Sequence, residues 1–374
     1  MTSNEKNKTV YLLTFQFSNN YGAMLQAYAL QKTLLKMGYE CILLNFKPKE
    51  LTNKYRLVSN PFLSLKTNGV KKNIIKFLIS IRDFRHNLIR NISFVKFRKK
   101  YLNISNKISN VATLEKYSNS YSSIIVGSDQ VWNLKLIVKN EEVYFLDFKN
   151  KWTNKISYAA SIAEPLSSEE LFRISKYLNN FSSISIREKS FIPILKSISD
   201  RDIFTSVDPT MLICREEYDA ISNNKIIKNK YLLVYDMHKS DFLTEIVNRV
   251  SEIYNLDIIS YSKKNDYKKH IKSFYSEGPS HFLTYFKQAD FIITTSYHGT
   301  IFALLYAKPF YTLSHPKKGS RMIDLLTDLN LSDRLIFEDN SPFIISNEID
   351  YKTVNNKILK LRENSMQYLK ESIK

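Results

Sequence analysis

A chain of 374 residues is long for one hydrophobic core, so two domains of ordinary size are expected. Hydrophobic residues at 44% and charged residues at 24% exclude a disordered chain, and no apolar run approaches the length of a membrane span. The formal charge of +19 fits a phosphate-bearing substrate, an anionic membrane surface or nucleic acid, while a Lys-, Asn- and Ile-rich composition with only 7 Gly offers a duller source in coding bias.

Met1 to Lys8 is polar and lacks the apolar segment of a secretory signal, so a cytoplasmic protein is expected. Val10 to Phe15 reads as a buried strand, Ser18-Asn19-Asn20-Tyr21-Gly22 as a turn, and Ala23 to Met37 as a helix stopped by Gly38. Leu30, Leu34 and Met37 share one face of that helix, and Cys41 to Asn45 follows as a second strand. The order is that of a βαβ unit, whose first loop is the ligand edge of a Rossmann-like domain. The loop has no G-x-G-x-x-G, so a dinucleotide is not indicated. Asn19 and Asn20 either donate to a sugar hydroxyl or cap the helix. Cys41 and Cys214 stand far apart and fit neither a disulfide framework nor a zinc site; no metal site is expected.

Between Lys47 and Lys107 there are 16 Lys or Arg against two acids, Glu50 and Asp83. This stretch, about 47–110, reads as a basic helical insertion with Phe77, Ile81, Phe84 and Ile89 among its apolar positions. The aromatic residues are expected to pack on the domain, and the cations to face anionic lipid or a phosphate-bearing acceptor. No nucleic-acid-binding motif accompanies the charge, so nucleic acid is not expected.

Ser122 to Val126 is a strand leading into Gly127-Ser128-Asp129-Gln130-Val131-Trp132-Asn133, a polar turn. Ile156 to Ala160 and Ser182 to Ile186 are further strands, the second ending in Arg187-Glu188-Lys189-Ser190. Arg187 is either a surface ion pair, with Glu188 placed to neutralise it, or an anion clamp. Thr205 to Val207 precedes Asp208-Pro209-Thr210, and the polar segment Arg215 to Lys230 separates two αβ runs.

The second run contains the stretch Ala289 to Phe310. Phe291-Ile292-Ile293 reads as a strand buried on both faces and Thr300 to Ala307 as a helix, which sets His298 and Gly299 at the turn between them. Such a turn lies at the carboxyl edge of a sheet and aims free N–H groups at a ligand, so an anion would be held there. His298 is then either a proton-transfer group or a capping, structural histidine. Lys317-Lys318-Gly319-Ser320-Arg321 enters another helix, and Tyr351 to Lys370 closes the chain as one more. The division expected is an N-terminal acceptor domain at 1–214, a C-terminal donor domain at 215–350, and a helix at 351–374 able to pack back on the first domain.

Five segments, in order, resemble the polysaccharide pyruvyl transferase family: Asn20-Tyr21-Gly22-Ala23-Met24-Leu25-Gln26-Ala27-Tyr28-Ala29-Leu30-Gln31, Gly127 to Asn133, Ser185-Ile186-Arg187-Glu188-Lys189-Ser190, Val207-Asp208-Pro209-Thr210, and Ser296-Tyr297-His298-Gly299-Thr300 with Lys308-Pro309-Phe310. The resemblance implies an α/β fold of two Rossmann-like domains facing a central cleft, like GT-B glycosyltransferases. It implies transfer of pyruvate from phosphoenolpyruvate to a sugar of a cell-surface polysaccharide, or to its undecaprenyl-diphosphate-linked repeat unit, as a ketal with release of phosphate. No tightly bound cofactor is implied. By analogy His298 is the general acid, Arg187 holds the donor carboxylate, and Gly299, Thr300 and Ser296 with Arg321, or with Lys317 or Lys318 in its place, receive the phosphate. Asp208 and Asp129 are candidates to bind or deprotonate the acceptor hydroxyl, or are turn residues. Asn19, Asn20, Tyr21, Gly22 and Gln130 complete the implied acceptor side. The alternatives are a GT-B glycosyltransferase using a nucleotide sugar and a non-catalytic glycan-binding protein.

Overall fold

The computed structural model describes residues 9–48, 52, 57, 70–118, 122–152, 154–237, 240–262, 267–314, 319–338 and 344–373. The apolar runs of the first half form seven strands: β1 Thr9–Leu13, β2 Glu40–Phe46, β3 Ile104–Ile108, β4 Ser123–Asp129, β5 Asn154–Ala160, β6 Ser183–Ile186 and β7 Ile203–Thr205. They make one sheet in the order β3-β2-β1-β4-β5-β6-β7, with every neighbouring pair parallel. The second half repeats the plan with β8 Tyr231–Tyr235, β9 Asp257–Ser260, β10 His270–Ser273, β11 Phe291–Thr294, β12 Phe310–Ser314 and β13 Leu335–Phe337. Its order is β10-β9-β8-β11-β12-β13, again parallel throughout. Helices cover both faces of such sheets, which is why β8, β11 and β12 are apolar without alternation and wholly buried.

Strand order reverses between β1 and β4 in one sheet and between β8 and β11 in the other. At such a point the connections leave in opposite directions, opening a crevice at the carboxyl ends of the strands. Two Rossmann-like domains therefore each present one crevice.

The helix Tyr21–Lys36 joins them. Asn20 caps its start by accepting from Ala23 N at 3.1 Å, and Gly38 stops it with φ 85°, a left-handed conformation that costs glycine little. Thirteen of its 16 residues are buried, so it is enclosed all round, where the sequence alone suggests one apolar face. The second domain supplies the extra cover through the helices Pro279–Gln288 and Tyr297–Leu305, and the turn Pro209–Met211 closes the remainder. Tyr21 stacks on Phe282 at 4.5 Å between centroids and donates its hydroxyl to Glu277 O at 2.8 Å. Apolar residues of both halves thus form one continuous core.

The basic insertion braces this contact. From the helix Phe84–Tyr101, Arg90 donates to Tyr21 Oη at 2.9 Å, Tyr275 O at 2.6 Å and Asn19 O at 2.7 Å. Its guanidinium lies over the rings of Tyr21, Phe94, Tyr261 and Tyr275, which belong to both domains. Arg98 of the same helix donates to Phe17 O and Ser18 O at 3.3 and 3.4 Å and to Asn19 Oδ1 at 3.2 Å. Two of the cations expected to face a ligand are instead spent inside the protein, because the loop after β1 offers carbonyls that its own chain leaves unpaired. Among the aromatic residues expected to pack, Phe84 is exposed, while Phe94 and Phe97 are buried; Ile81 and Ile89 are exposed. Residues 49–51, 53–56 and 58–69 of the insertion lie outside the described residues.

A closing strap runs from the second domain to the first. Arg334 holds Ser346 O and Glu348 O at 2.6 and 2.5 Å, and the helix Tyr351–Ser372 then crosses to the first sheet. There Arg362 donates to Met211 O at 2.6 Å, Ser365 Oγ accepts from Val207 N at 3.0 Å, and Tyr368 donates to Ser157 O at 2.8 Å.

Replacing Arg90 by Met keeps the stem and deletes the donors, leaving buried carbonyls of both domains unpaired. Arg90→Met is expected to lose about 2–4 kcal/mol of stability, read as an earlier urea midpoint by aromatic fluorescence. An unchanged midpoint would show that Arg90 does not brace the domains.

Candidate functional site

A cavity of about 710 Å³ lies where the two crevices face one another. The first domain lines it with Phe15, Phe17, Ser18 and Asn20 beyond β1, with Asp129 and Gln130 at the end of β4, and with Ala163 and Glu164 beyond β5. The second lines it with Met237 and Ser240 beyond β8, Thr295 to His298 beyond β11, Ser314 at the end of β12, Arg321, and Glu338 beyond β13. All of these segments leave the carboxyl ends of parallel strands, as the two reversals of strand order require.

His298 sits in the first turn of the helix Tyr297–Leu305, whose cap Ser296 accepts from Gly299 N at 3.4 Å. The first two N–H groups of this helix, on Tyr297 and His298, meet no acceptor among the described residues and are left for a ligand. The imidazole rests on the start of the joining helix. A Cβ at Gly22 would stand 2.1 Å from His298 Nδ1 and 2.3 Å from Cγ, so only glycine leaves room for the ring. Its other nitrogen, Nε2, lies 3.3 Å from Asp208 Oδ2.

Asp208 is fully buried and also pairs with Arg187, whose Nη2 is 2.6 Å from the same oxygen. Thr210 N and Oγ1 donate to Oδ1 at 2.9 and 2.6 Å. Burial alone would raise the Asp208 carboxyl; the Arg187 guanidinium, then His298 and Thr210, overcome it and hold the group well below the usual carboxylate range. For Arg187 burial works against the charge, and Asp208, helped by Tyr297, Asp129 and Glu188, outweighs it and raises the pKa. Arg187 also donates to Ser128 Oγ and lies over the Tyr297 ring, 4.9 Å from its centroid.

Arg321, from the helix Ser320–Asp328, stacks on the same ring at 5.5 Å but reaches the cavity. Its nearest acid is Glu188, with Nε 4.0 Å from Oε1. Glu188 is turned elsewhere, accepting from Ser161 Oγ and from the N–H groups of Ile162 and Ala163 at 3.3 and 3.2 Å. Burial lowers the Arg321 pKa, with Glu188 offsetting only part of the effect. A guanidinium so placed gains from any anion that enters.

The five motifs thus meet in one place, and residues 20–316 match the family described as Polysaccharide pyruvyl transferase. The chain belongs to that family. It is a transferase, and its general activity is polysaccharide pyruvyl transfer. No curated protein matches the sequence. Among solved structures, a UDP-GlcNAc 2-epimerase from Neisseria meningitidis bound to UDP-GlcNAc is 11% identical, over 98% of this chain and 94% of that one, with a TM-score of 0.45. A glycosyltransferase from Streptomyces sp. SF2575 is 10% identical over 96% of both chains, with a TM-score of 0.41. An alpha-glucosyltransferase in complex with UDP and a DNA is 10% identical over 97% and 95%, with a TM-score of 0.47.

Of the residues singled out in the transferase's sequence, His298, Ser296, Arg321, Asp129, Gln130 and Asn20 line the cavity. Arg187 does not: it stands behind Tyr297 and His298, committed to Asp208, and Glu188 is not the acid that neutralises it. Asp208 is likewise behind the imidazole and away from the cavity wall, a position for orienting His298 and not for touching an acceptor. Tyr21 is buried in the domain contact, and Asn19 is engaged with Asn91, Arg90 and Arg98, so neither faces the acceptor side. Thr300 is buried, with its hydroxyl 2.7 Å from Thr312 Oγ1, and Gly299 packs over Thr294. Lys317 and Lys318 lie outside the described residues. Sequence reasoning passed over Tyr297, the plate between two guanidinium groups, although it stands beside His298 in the motif. It also passed over Ser18, Glu164 and Glu338, single polar residues at strand ends with no pattern to mark them.

Two variants of the transferase follow from these contacts. Gly22→Ala improves helix propensity by about 1 kcal/mol but must displace the imidazole, so turnover is expected to fall about 100-fold in steady-state kinetics with folding retained. Turnover at the wild-type rate would mean that the ring is not held there. Because the Asp208 carboxyl is depressed in the folded state, its contribution to stability is complete above its unfolded value of about 4 and is lost as pH falls through the lower folded value. Asp208→Asn strands Arg187 and is expected to cost about 3–5 kcal/mol at pH 7 in denaturant titrations, with a smaller deficit at pH 3. An equal deficit at both pH values would dissociate the pair from the ionised carboxylate.

Proposed function

We propose that the cavity binds phosphoenolpyruvate and transfers its pyruvate, as a ketal, to a sugar of a cell-surface polysaccharide or its lipid-linked repeat unit, releasing phosphate. One observation carries the reading: an imidazole backed by a buried carboxylate and a guanidinium stacked on Tyr297 face the same cavity. The donor brings a carboxylate and a phosphate. Arg321, the Ser296 hydroxyl and the open N–H groups of Tyr297 and His298 are the groups offered to them, and a helix N-terminus adds its positive end. With Nε2 turned to Asp208, 3.3 Å away, Nδ1 is the nitrogen left to give a proton.

Addition of that proton to the methylene carbon turns the C=C π bond into a C–H bond and makes C2 electrophilic; an acceptor hydroxyl attacks it, and the proton of that hydroxyl returns to the imidazole. The second hydroxyl then displaces phosphate, which leaves with the hydroxyl proton, so two C–O bonds form and one breaks. Arg187 acts in this scheme through Asp208, keeping it ionised, and the donor carboxylate falls to Arg321 and the helix start. Asn20, Ser18, Asp129, Gln130 and Glu164 supply hydroxyl-bonding groups on the acceptor side. A volume of about 710 Å³ accommodates donor and sugar together.

His298→Ala is expected to lower acceptor-dependent phosphate release about 10²–10⁴-fold with the fold intact. Arg321→Ala should act chiefly on the donor KM, and glycan products should be heavier by one pyruvic acid less one water. Phosphate release retained in His298→Ala removes that residue from proton transfer; saturable binding of a nucleotide sugar with none of phosphoenolpyruvate overturns the assignment of the donor.

A further inference from the structure

The outward side of the basic insertion carries what its inward side does not explain. In the helix Val70–Arg82, Ile75, Leu78 and Ile79 are 47%, 58% and 43% exposed and share one face with Arg82. In the helix Phe84–Tyr101 the buried face holds Arg90, Phe94 and Phe97, and the opposite face reads Arg85, Ile89, Ile92, Lys96, Lys99 at successive spacings of four and three. Ile89 and Ile92 are 42% and 44% exposed, and the three cations around them are exposed as well. Scattered single hydrophobics are ordinary on a surface, but five large aliphatic side chains on two successive helices, flanked by cations, are not. Residues 70–101 contain ten Lys or Arg and one acid, Asp83, which is buried and paired with Arg82 at 2.8 Å.

We infer that this face docks on an anionic lipid bilayer. Aliphatic side chains set among cations, without exposed acids, match an interface that is apolar below and negatively charged above. Nucleic acid would use the cations and leave the aliphatic residues in water. No helix among the described residues is long and apolar enough to cross a membrane, so the contact is with the bilayer surface. The inward side of the same helix holds Phe17 and Ser18 through Arg98, and both residues line the cavity. A bilayer bound here lies about one helix diameter, roughly 10 Å, from the acceptor side of the cleft. The inference rests on the proposed function only in naming a lipid-linked acceptor as what the docked enzyme meets.

The test is cosedimentation of the full chain with vesicles of phosphatidylglycerol and phosphatidylcholine, and with phosphatidylcholine alone, at low and high salt and without donor or acceptor. Binding to the anionic vesicles is expected to be at least tenfold tighter than to neutral ones and to weaken at least tenfold in high salt. The triple variant Arg85→Glu, Lys96→Glu, Lys99→Glu should bind at least 100-fold more weakly and the pair Leu78→Ser, Ile92→Ser at least tenfold, both with the wild-type thermal midpoint and with unchanged turnover of a soluble acceptor oligosaccharide. Equal binding to both vesicle types, no binding to the anionic ones, or wild-type binding by the variants overturns the inference. So does a dimer in sedimentation equilibrium that the Leu78→Ser, Ile92→Ser variant lacks, which would make the face a self-association surface. A wrong donor would leave every vesicle result unchanged and would appear only in the turnover assay.

Discussion

The contact between the His298 imidazole and the backbone of Gly22 is the constraint to which the rest of the molecule answers. It can exist only if the joining helix begins with a residue that has no Cβ and if the second domain is pressed against that helix closely enough for a ring to touch main chain. Both conditions are met by burial. The joining helix is enclosed by elements of both domains, Tyr21 stacks on Phe282, and Arg90 fills the remaining corner with three hydrogen bonds and four aromatic faces. Each aromatic pair adds about 0.5–1.5 kcal/mol beyond its buried area, and a dry contact makes every polar mismatch expensive, so the domain geometry is held tightly.

Electrostatics divides the labour within the site. Arg187 and Asp208 form a buried pair; such pairs stabilise little in net terms because desolvation consumes the Coulomb attraction. What the pair does supply is a fixed, ionised carboxylate behind His298, 3.3 Å from Nε2, while that histidine lines the cavity. Arg321, whose nearest carboxylate is 4.0 Å away and occupied by backbone donors, keeps the charge that an incoming anion can use. Tyr297 stacks with both guanidinium groups and so couples the inner cation to the outer one.

The basic insertion serves two solvents. Its inner face is protein: Arg90 and Arg98 take the carbonyls of a loop that is itself a wall of the cavity. Its outer face keeps the aliphatic residues and Arg82, Arg85, Lys96, Lys99 and Lys100 in water. The same helix therefore sets the shape of the acceptor side and faces whatever surface the protein approaches.

Local pattern alone determined the alternation of apolar strands with helices, the buried character of Phe291-Ile292-Ile293, and the gathering of charge between Lys47 and Lys107, because each depends on residues close in the chain; it set His298 in a turn, whereas the cap at Ser296 starts the helix at Tyr297 and takes His298 and Gly299 into its first turn. The resemblance carried by the five motifs added the family, and with it the expectation of two facing Rossmann-like domains. Only the tertiary structure decided which residues of each motif reach the cavity. Arg187 and Arg321 are chemically the same group, and no periodicity tells a guanidinium paired with Asp208 from one left open to a ligand; that depends on which carboxylate the fold delivers from 21 positions or more away. Gly22 reads as a turn glycine until the second domain brings an imidazole over it. Arg90 reads as one more surface cation until four rings from distant segments close around it. Contacts between segments far apart in the chain are set by how the sheets and helices pack, which a linear pattern does not encode.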